Sequence, residues 1–213
     1  MLEYQLAKNA YIYPTPAGAY YAITHQQLDA ARSFLIALMQ RAASPELTEE
    51  NLCQLSGLEL PEALALLEQL QRSGFVQALS QPLQAMQKTL EEALPELLKN
   101  LSGNQKALLA DDNGFYLSSH GFHHESAEEL AGLAAELSKL QARYTGLLAG
   151  NLNYQSAAMG VINAAGHSEI GFWPMHIGQQ HFMLVLSGTP QLNSQYLVEL
   201  VWLMISRYGL SKK

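Results

Sequence analysis

A polar turn, Asp111-Asp112-Asn113-Gly114, constrains the fold of this chain more than any other sequence feature. It separates two short runs, Ala107–Ala110 and Phe115–Ser118, whose residues are suited to strands. Asn-Gly is the commonest residue pair in tight hairpin turns, because both residues tolerate a positive φ angle. The sequence therefore predicts an antiparallel hairpin, and with it a sheet that neighbouring segments must complete and cover.

The segment after this hairpin predicts a long helix. Ser126 and Glu129 fit a capping box, in which each side chain binds the backbone N–H of the other residue. Apolar residues then recur with a helical period, which should place them on one side of the helix. They are Leu130, Leu133, Ala134, Leu137, Leu140 and Tyr144.

Further elements on both sides of this block complete an α+β pattern. A helix over residues 83–101 precedes the hairpin, and a last helix runs from Asn193 or Ser194 to about Tyr208. The predicted order is therefore helix, hairpin, long helix, three strands and helix. The three candidate strands are Met159–Ala164, Glu169–Ile177 and His181–Leu186.

The first eighty residues begin with an aromatic-rich segment and a helix. Residues 9–23 contain two aromatic stretches around Pro-Thr-Pro-Ala-Gly, a composition that predicts a hairpin or an extended arm. Thr24 then fits the N-cap of a helix, with Gln27 completing a capping box. This helix should end near Ala43, because Ser44 precedes a proline.

Two more helices and a strand follow in the order of a helix-turn-helix. Thr48 should begin the first of them, which ends at Gly57, and Pro61 should open the next. Gly74 is suited to end that helix before a strand over residues 75–79. Over Gln26–Leu79 this succession resembles a winged-helix domain. We therefore expect an N-terminal arm plus winged-helix module over residues 1–80 and a second domain over residues 81–213.

The second domain resembles the roadblock/LC7 (dynein light chain-like) family in element order. The most specific stretch carries the turn Asp112-Asn113-Gly114, the strand end Leu117-Ser118-Ser119 and the Ala- and Leu-rich helix over Glu128–Leu140. The resemblance extends over about Leu83–Tyr208. It implies a roadblock/profilin-like domain, in which a five-stranded antiparallel sheet is flanked by helices.

The resemblance also implies a dimer, in which two sheets join along their third strands and the long helices pack together. A physical argument agrees with this, because Met-Gly-Val-Ile-Asn-Ala at 159–164 has no charge and no proline and would aggregate as an open edge. The alternative is that this strand lies inside the sheet of a monomer. The expected interface residues are Leu130, Leu133, Leu137, Leu140, Tyr144, Met159, Val161 and Asn163.

Roadblock proteins act as regulators or scaffolds of Ras-like small GTPases and as light chains of motor complexes. The resemblance therefore implies an adaptor that regulates through protein–protein contacts, as a homodimer and with another protein such as a Ras-like GTPase. The alternative is a winged-helix transcriptional regulator that its roadblock domain dimerises.

The charge distribution argues against nucleic acid as the main partner. The formal net charge is −7, and residues 1–90 carry eight acidic and five basic residues. The expected recognition helix begins Glu59-Leu60-Pro61-Glu62 and reaches Arg72 only at its far end. A DNA-reading helix places Arg, Lys, Asn or Gln near its start, so protein docking is the preferred interpretation.

Motifs of catalysis and cofactor binding are absent from the sequence. Neither a phosphate-binding loop nor a dinucleotide fingerprint occurs, and Gly166–Gly171 lacks the glycine spacing of a nucleophile elbow. We therefore expect neither enzymatic activity nor a cofactor. Whether His120, His123 and His124 bind a metal stays open. Without a signal peptide or a long apolar segment, a cytoplasmic location is expected.

Overall fold

The structure is a computed structural model that describes residues 6–154 and 156–209 of the 213-residue chain. Its fold is α+β. The elements in chain order are β1 (Tyr11–Pro14), α1 (Pro16–Ile23), α2 (Ala30–Met39), α3 (Glu49–Ser56), α4 (Leu60–Arg72), β2 (Val76–Leu79), α5 (Leu90–Leu101), β3 (Ala107–Asp111), β4 (Tyr116–His120), α6 (His124–Thr145), a π-helical segment (Gly146–Asn151), β5 (Met159–Ile162), β6 (Ser168–Ile177), β7 (Gln180–Ser187) and α7 (Gln195–Tyr208).

Contacts within the chain define two compact units. The first unit comprises the chain up to Gln87 together with the stretch from Leu197 onward, and the second comprises Lys88–Tyr196. The sequence assigns residues 81–213 to one domain, whereas most of α7 shares its contacts with the first unit. A boundary between independently folding domains at residues 80 and 81 stays a prediction.

The first unit contains two helices, α3 and α4, where the sequence predicts them. Thr48 caps α3 by accepting a hydrogen bond from Asn51 N at 3.2 Å, and Gly57 ends that helix with a φ of +69°. Pro61 lies in the first turn of α4, where a missing N–H leaves no helical hydrogen bond unmade. In place of a following wing strand, β2 pairs antiparallel with β1 from the start of the chain. The winged-helix assignment stays a prediction.

The sequence prediction for the segment before these helices is wrong. Instead of a hairpin or arm, Tyr11–Pro14 is a strand and Pro16–Ile23 is the helix α1. Thr15 caps that helix through a 3.1 Å hydrogen bond from Gly18 N, and Pro16 pre-sets its first turn. Gly18 is required by packing, because a Cβ there would lie 2.0 Å from the Phe75 carbonyl oxygen.

The predicted start of the next helix is also wrong. Thr24 ends α1, and Asp29 is the N-cap of α2, with its carboxylate accepting from Arg32 N at 2.7 Å. An aspartate is at least as good an N-cap as threonine, and it precedes the first buried residue of the helix, Ala31.

Helix α7 completes the core of the first unit. The Trp202 ring lies 5.7 Å from the Tyr13 ring, and its Nε1 donates to the Arg41 carbonyl oxygen at 3.0 Å. Ser206 Oγ donates to the carbonyl oxygen of Met39. Eight of the fourteen residues in α7 are buried, which explains why the helix is apolar on nearly every side.

The second unit contains the predicted five-stranded antiparallel sheet. Its strands lie in the order β4-β3-β7-β6-β5, so β5 occupies one edge. Helix α5 packs against β3 and β4, and α6 packs against β3, β4 and β7. The sheet face under α6 and the alanines of that helix form one core cluster. From the sheet it contains Leu108, Ala110, Phe172, Met183 and Val185, and from the helix it contains Ala127, Ala131 and Ala134.

The hairpin that opens the sheet is confirmed, but its turn differs from the tight two-residue form. Among the described residues only Gly114 of this turn has a positive φ, at +89°. The Asp111 carboxylate accepts from Asn113 N and Phe115 N at 3.0 and 2.9 Å, which supports a longer loop. Helix α6 also begins earlier than predicted, at His124 rather than after Ser126.

Candidate functional site

The face of α6 that packs on the sheet is made of alanine. Its buried residues are Ala127, Ala131, Ala134 and Ala135. Small side chains allow a close approach, and a Cβ at Gly114 would lie 3.4 Å from Gly132 Cα. The larger apolar residues of the helix therefore lie beside this face rather than beneath it.

These larger residues form a row with alternating spacings of three and four. Leu130 and Leu137 are half-buried and pack against the core cluster. Leu133, Leu140 and Tyr144 are 48%, 41% and 45% exposed. The sequence correctly groups these five residues on one side of the helix, and the structure leaves the outer three uncovered.

Strand β5 continues this apolar surface at the edge of the sheet. Met159 and Val161 pair with Phe172 and Ile170, two residues that face α6. Directly paired residues share a sheet face, so Met159 and Val161 also lie on the α6 side. Met159 is half-buried, whereas Val161 is 54% exposed.

The sequence places Asn163 in a strand over Met159–Ala164, but β5 ends at Ile162, and Asn163 lies in the following turn. Its Oδ1 accepts hydrogen bonds from Ala165 N and His167 N, both at 3.0 Å. Asn163 N also donates to the His167 carbonyl oxygen at 2.9 Å. The side chain therefore holds the β5–β6 hairpin, a role that asparagine commonly has in turns.

The connection between α6 and β5 adds apolar residues that sequence reasoning missed. It is a π-helical segment, closed by a 2.9 Å hydrogen bond from Leu152 N to the Leu147 carbonyl oxygen. Leu147 continues the three-four spacing of α6, and this was the signal that could have found it. We call the following set the α6–β5 surface, whose members are 41% to 60% exposed: Leu133, Leu140, Tyr144, Leu147, Leu152, Tyr154 and Val161.

Charges on α6 are divided between its two halves. Glu125, Glu128 and Glu129 lie in the first half, and Glu136, Lys139 and Arg143 lie in the second. Glu136 accepts a hydrogen bond from Lys139 Nζ at 2.8 Å. This bond, the charge of Lys139 and more weakly that of Arg143 hold the pKa of Glu136 below its ordinary value.

The histidines at the start of α6 make separate contacts. His124 Nδ1 lies 2.7 Å from Tyr116 Oη, and its Nε2 lies 3.5 Å from a Glu128 carboxylate oxygen. Within residues 6–154 and 156–209, no three His, Cys, Asp or Glu side chains lie close enough together to hold a metal ion. The same residues include no helix that is both long and apolar enough to cross a membrane.

Comparisons with known proteins find similarity only among solved structures. No family model and no curated protein matches the chain. Among solved structures, it is similar to the Roadblock/LC7 domain from Streptomyces avermitilis, with 20% identity and a TM-score of 0.34. The match covers 53% of this chain and 87% of that one. Membership of the roadblock/LC7 family stays a prediction from the order of helices and strands in the sequence.

Proposed function

We propose that this protein is a non-catalytic adaptor that forms a homodimer through the α6–β5 surface and binds a further protein. The observation that carries the proposal is a set of seven large apolar side chains, each at least 41% exposed, at and beside an edge strand. Large exposed apolar patches mark interaction sites, because isolated soluble proteins rarely leave them open to water.

The edge strand supports pairing with a second sheet. Within the described residues, β5 has a strand neighbour only in β6, so its other side offers backbone N–H and C=O groups. The strand reads Met-Gly-Val-Ile and has none of the charges or prolines that protect natural edges from association. A second β5 would satisfy these groups and cover Val161.

The row of apolar residues on α6 supports a helix pair. Spacings of three and four from Leu130 to Tyr144 are those of residues that interlock between two helices. In an antiparallel pair, the acidic first half of each helix faces the basic second half of the other. Glu129 would then lie near Arg143 of a second copy, whereas a parallel pair would align like charges.

A second copy is therefore the partner we propose for this surface. The further protein binds elsewhere on the dimer, and by the resemblance a Ras-like small GTPase is the first candidate. A pull-down with the full-length dimer and purified Ras-like GTPases in both nucleotide states tests that candidate.

The helix-turn-helix favours a second role, in which the dimer presents two copies of α3 and α4 to DNA. The acidic α4 opposes it, since Glu62 and Glu68 are both exposed. Salt-dependent binding to mixed DNA fragments that Arg72→Ala weakens would favour the DNA role over the adaptor role.

The homodimer is tested by sedimentation equilibrium of the full chain at micromolar concentration. We expect a dimer for the wild type and a monomer for Leu140→Glu. Dimerisation of that variant would bury the new glutamate carboxylate without a partner for its charge. Leu28→Glu is the matched control, since Leu28 is a 58% exposed leucine outside this surface. A monomeric wild type, or a Leu140→Glu variant as dimeric as the control, contradicts the proposal.

A further inference from the structure

At the β5 edge, the sheet face opposite α6 carries two glycines and one large exposed side chain. Because Met159 and Val161 lie on the α6 side, the alternating residues Gly160 and Ile162 lie on the opposite side. Ile162 is 63% exposed. Gly160 pairs directly with Gly171 of β6. A large apolar side chain therefore lies beside a strip of the sheet that has no side chains.

An aromatic ring covers only one of these two glycines. A Cβ at Gly171 would lie 2.3 Å from Trp173 Cη2, so the indole ring lies over that glycine. Aromatic rings cover glycines of sheets in this way. Gly160 is exposed, and a Cβ there would lie 2.9 Å from the Ile170 carbonyl oxygen. The gap above Gly160 is therefore a fixed feature of this edge, because its backbone does not accommodate a side chain.

Hydrogen bonds in the following turn show which backbone groups of β5 face the free edge. Asn163 N donates to the His167 carbonyl oxygen at 2.9 Å, so Asn163 faces β6. Along an antiparallel strand this direction alternates from one residue to the next. The extra residue of the bulge in this pair lies in β6, so β5 keeps its alternation. Val161 therefore also faces β6, whereas Gly160 and Ile162 direct their N–H and C=O groups to the free side.

Symmetry and strand length restrict how a second β5 can pair with this edge. In a two-fold pair the strands run antiparallel, and an outward-facing residue pairs with an outward-facing residue. An axis at Val161 pairs Gly160 of each copy with Ile162 of the other, so both residues exchange backbone hydrogen bonds. An axis at Gly160 or at Ile162 would instead pair the other of these two with a residue outside β5.

We propose that Ile162 of each copy packs over Gly160 of the other, with Val161 facing Val161 of a second copy across the axis. The inference rests on the proposed homodimer and adds a second layer of contacts to it, on the sheet face opposite α6. The isoleucine fits because Gly160 has no side chain, and the Trp173 ring borders the gap on its other side. The α6–β5 surface and this second layer then cover both faces of the joined edges.

Disulfide trapping of the full chain tests this register. Each variant carries Cys53→Ser, which removes the single cysteine of the chain, and one new cysteine in β5. In the proposed register the two Val161 positions form a non-hydrogen-bonded pair, with Cα atoms about 4.5 Å apart, which a disulfide can span. Val161→Cys should therefore become a disulfide-linked dimer with oxidised glutathione.

Met159→Cys and Ile162→Cys are the matched controls in the same strand. The two Ile162 positions are diagonal neighbours, about 7–8 Å apart, and the two Met159 positions are farther apart, so both variants should stay largely reduced. Faster cross-linking of either control than of Val161→Cys would overturn the register. If the wild type is a dimer in sedimentation, that result leaves the homodimer standing, whereas a monomeric wild type contradicts the homodimer and this inference together.

The dissociation constant of the dimer tests the contact on the face opposite α6. Ile162→Ala should weaken the homodimer by roughly tenfold or more, because each dimer loses two apolar side chains from this contact. Phe115→Ala is the control, since Phe115 is 71% exposed in the turn before β4, at the other edge of the sheet, and should leave the constant unaltered. A dimer of Ile162→Ala as tight as the wild type would overturn the proposal.

Discussion

Helices α6 and α7 both carry many apolar residues, yet they bury opposite kinds of side chain. Four of the 22 residues in α6 are buried, and all four are alanines. Eight of the 14 residues in α7 are buried, among them Trp202 and Met204. The difference shows that an apolar helical period predicts a helix but does not reveal which side of it the fold covers. In α6 the uncovered side carries Leu133, Leu140 and Tyr144.

The largest effect should follow from truncating the main anchor of α7. We expect Trp202→Ala to lower the free energy of unfolding by about 3–5 kcal/mol, because it leaves a cavity and removes the hydrogen bond to the Arg41 carbonyl oxygen. Denaturation with urea measures the change. Tyr196→Ala, at a 39% exposed position of the same helix, is the control and should cost far less.

The alanine face of α6 should reject a larger side chain. Ala134 is fully buried against the core cluster, so Ala134→Leu should cost about 1–3 kcal/mol through overpacking. Ala142→Leu makes the same change at an exposed position and should have little effect. Equal melting temperatures for the two variants would contradict the view that α6 packs by its small residues.

A smaller change in dimer affinity should show whether the two α6 helices pair antiparallel or parallel. Arg143→Glu should weaken the homodimer by about 1 kcal/mol, or roughly fivefold, by placing like charges near each other. The double variant Arg143→Glu/Glu129→Arg should regain the wild-type affinity, because opposite charges then lie near each other again. Arg72→Glu, an exposed change in the first unit, should leave the dissociation constant unaltered in the same sedimentation series.

The smallest expected effect is a loss of folding stability at low pH, and it should depend on Asp29 in the first unit more than on Glu136 of α6. Burial raises the pKa of Asp29, but hydrogen bonds from Arg32 N and Tyr21 together with the Arg32 charge outweigh this and leave the pKa below its ordinary value. A lowered pKa in the folded state stabilises the protein at neutral pH. That stability is lost as the pH falls below about 4.

Because the Asp29 side chain is 45% exposed, solvent screening should hold this contribution below about 1 kcal/mol. Asp29→Asn should reduce the acid sensitivity of unfolding, measured by urea denaturation at neutral and at acidic pH. Glu136→Gln, on the exposed side of α6, should reduce the acid sensitivity less than Asp29→Asn does, because solvent screens the interaction of Glu136 with Lys139.

Local signals predicted much of this fold. Thr48 and Gly57 mark the ends of α3 correctly and Pro61 marks the start of α4, because caps and helix breakers act on the neighbouring backbone alone. The strands of the second unit lie within a few residues of their predicted bounds for the same reason. Asn113-Gly114 correctly indicated a hairpin, although the Asp111 side chain selects a longer turn.

Other features depend on contacts that the sequence does not display. The sequence predicts a hairpin or an extended arm over residues 9–23, but the approach of Gly18 to Phe75 and the Thr15 cap favour a helix over Pro16–Ile23. The apolar pattern of α7 does not reveal that Tyr13 and Arg41 contact it. The pairing of His176 with His181 likewise appears only once strand register is known.

The candidate site was predicted in part. The row from Leu130 to Tyr144 leaves three exposed apolar residues, and Met159 and Val161 lie on the edge strand of the sheet, but their role in an interface stays a prediction. Sequence reasoning missed Leu152 and Tyr154, because the π-helical segment that positions them reads as a loop. It also assigned Asn163 to an interface strand. In the structure, Asn163 lies after that strand and accepts hydrogen bonds within the turn.

Hydrogen exchange of the β5 amides at several protein concentrations tests the central claim most directly. If a second copy covers this edge, the outward-facing amides of Met159–Ile162 exchange slowly at high concentration and faster on dilution. In Leu140→Glu they exchange fast at every concentration. Rapid, concentration-independent exchange of these amides in the wild type would contradict the account.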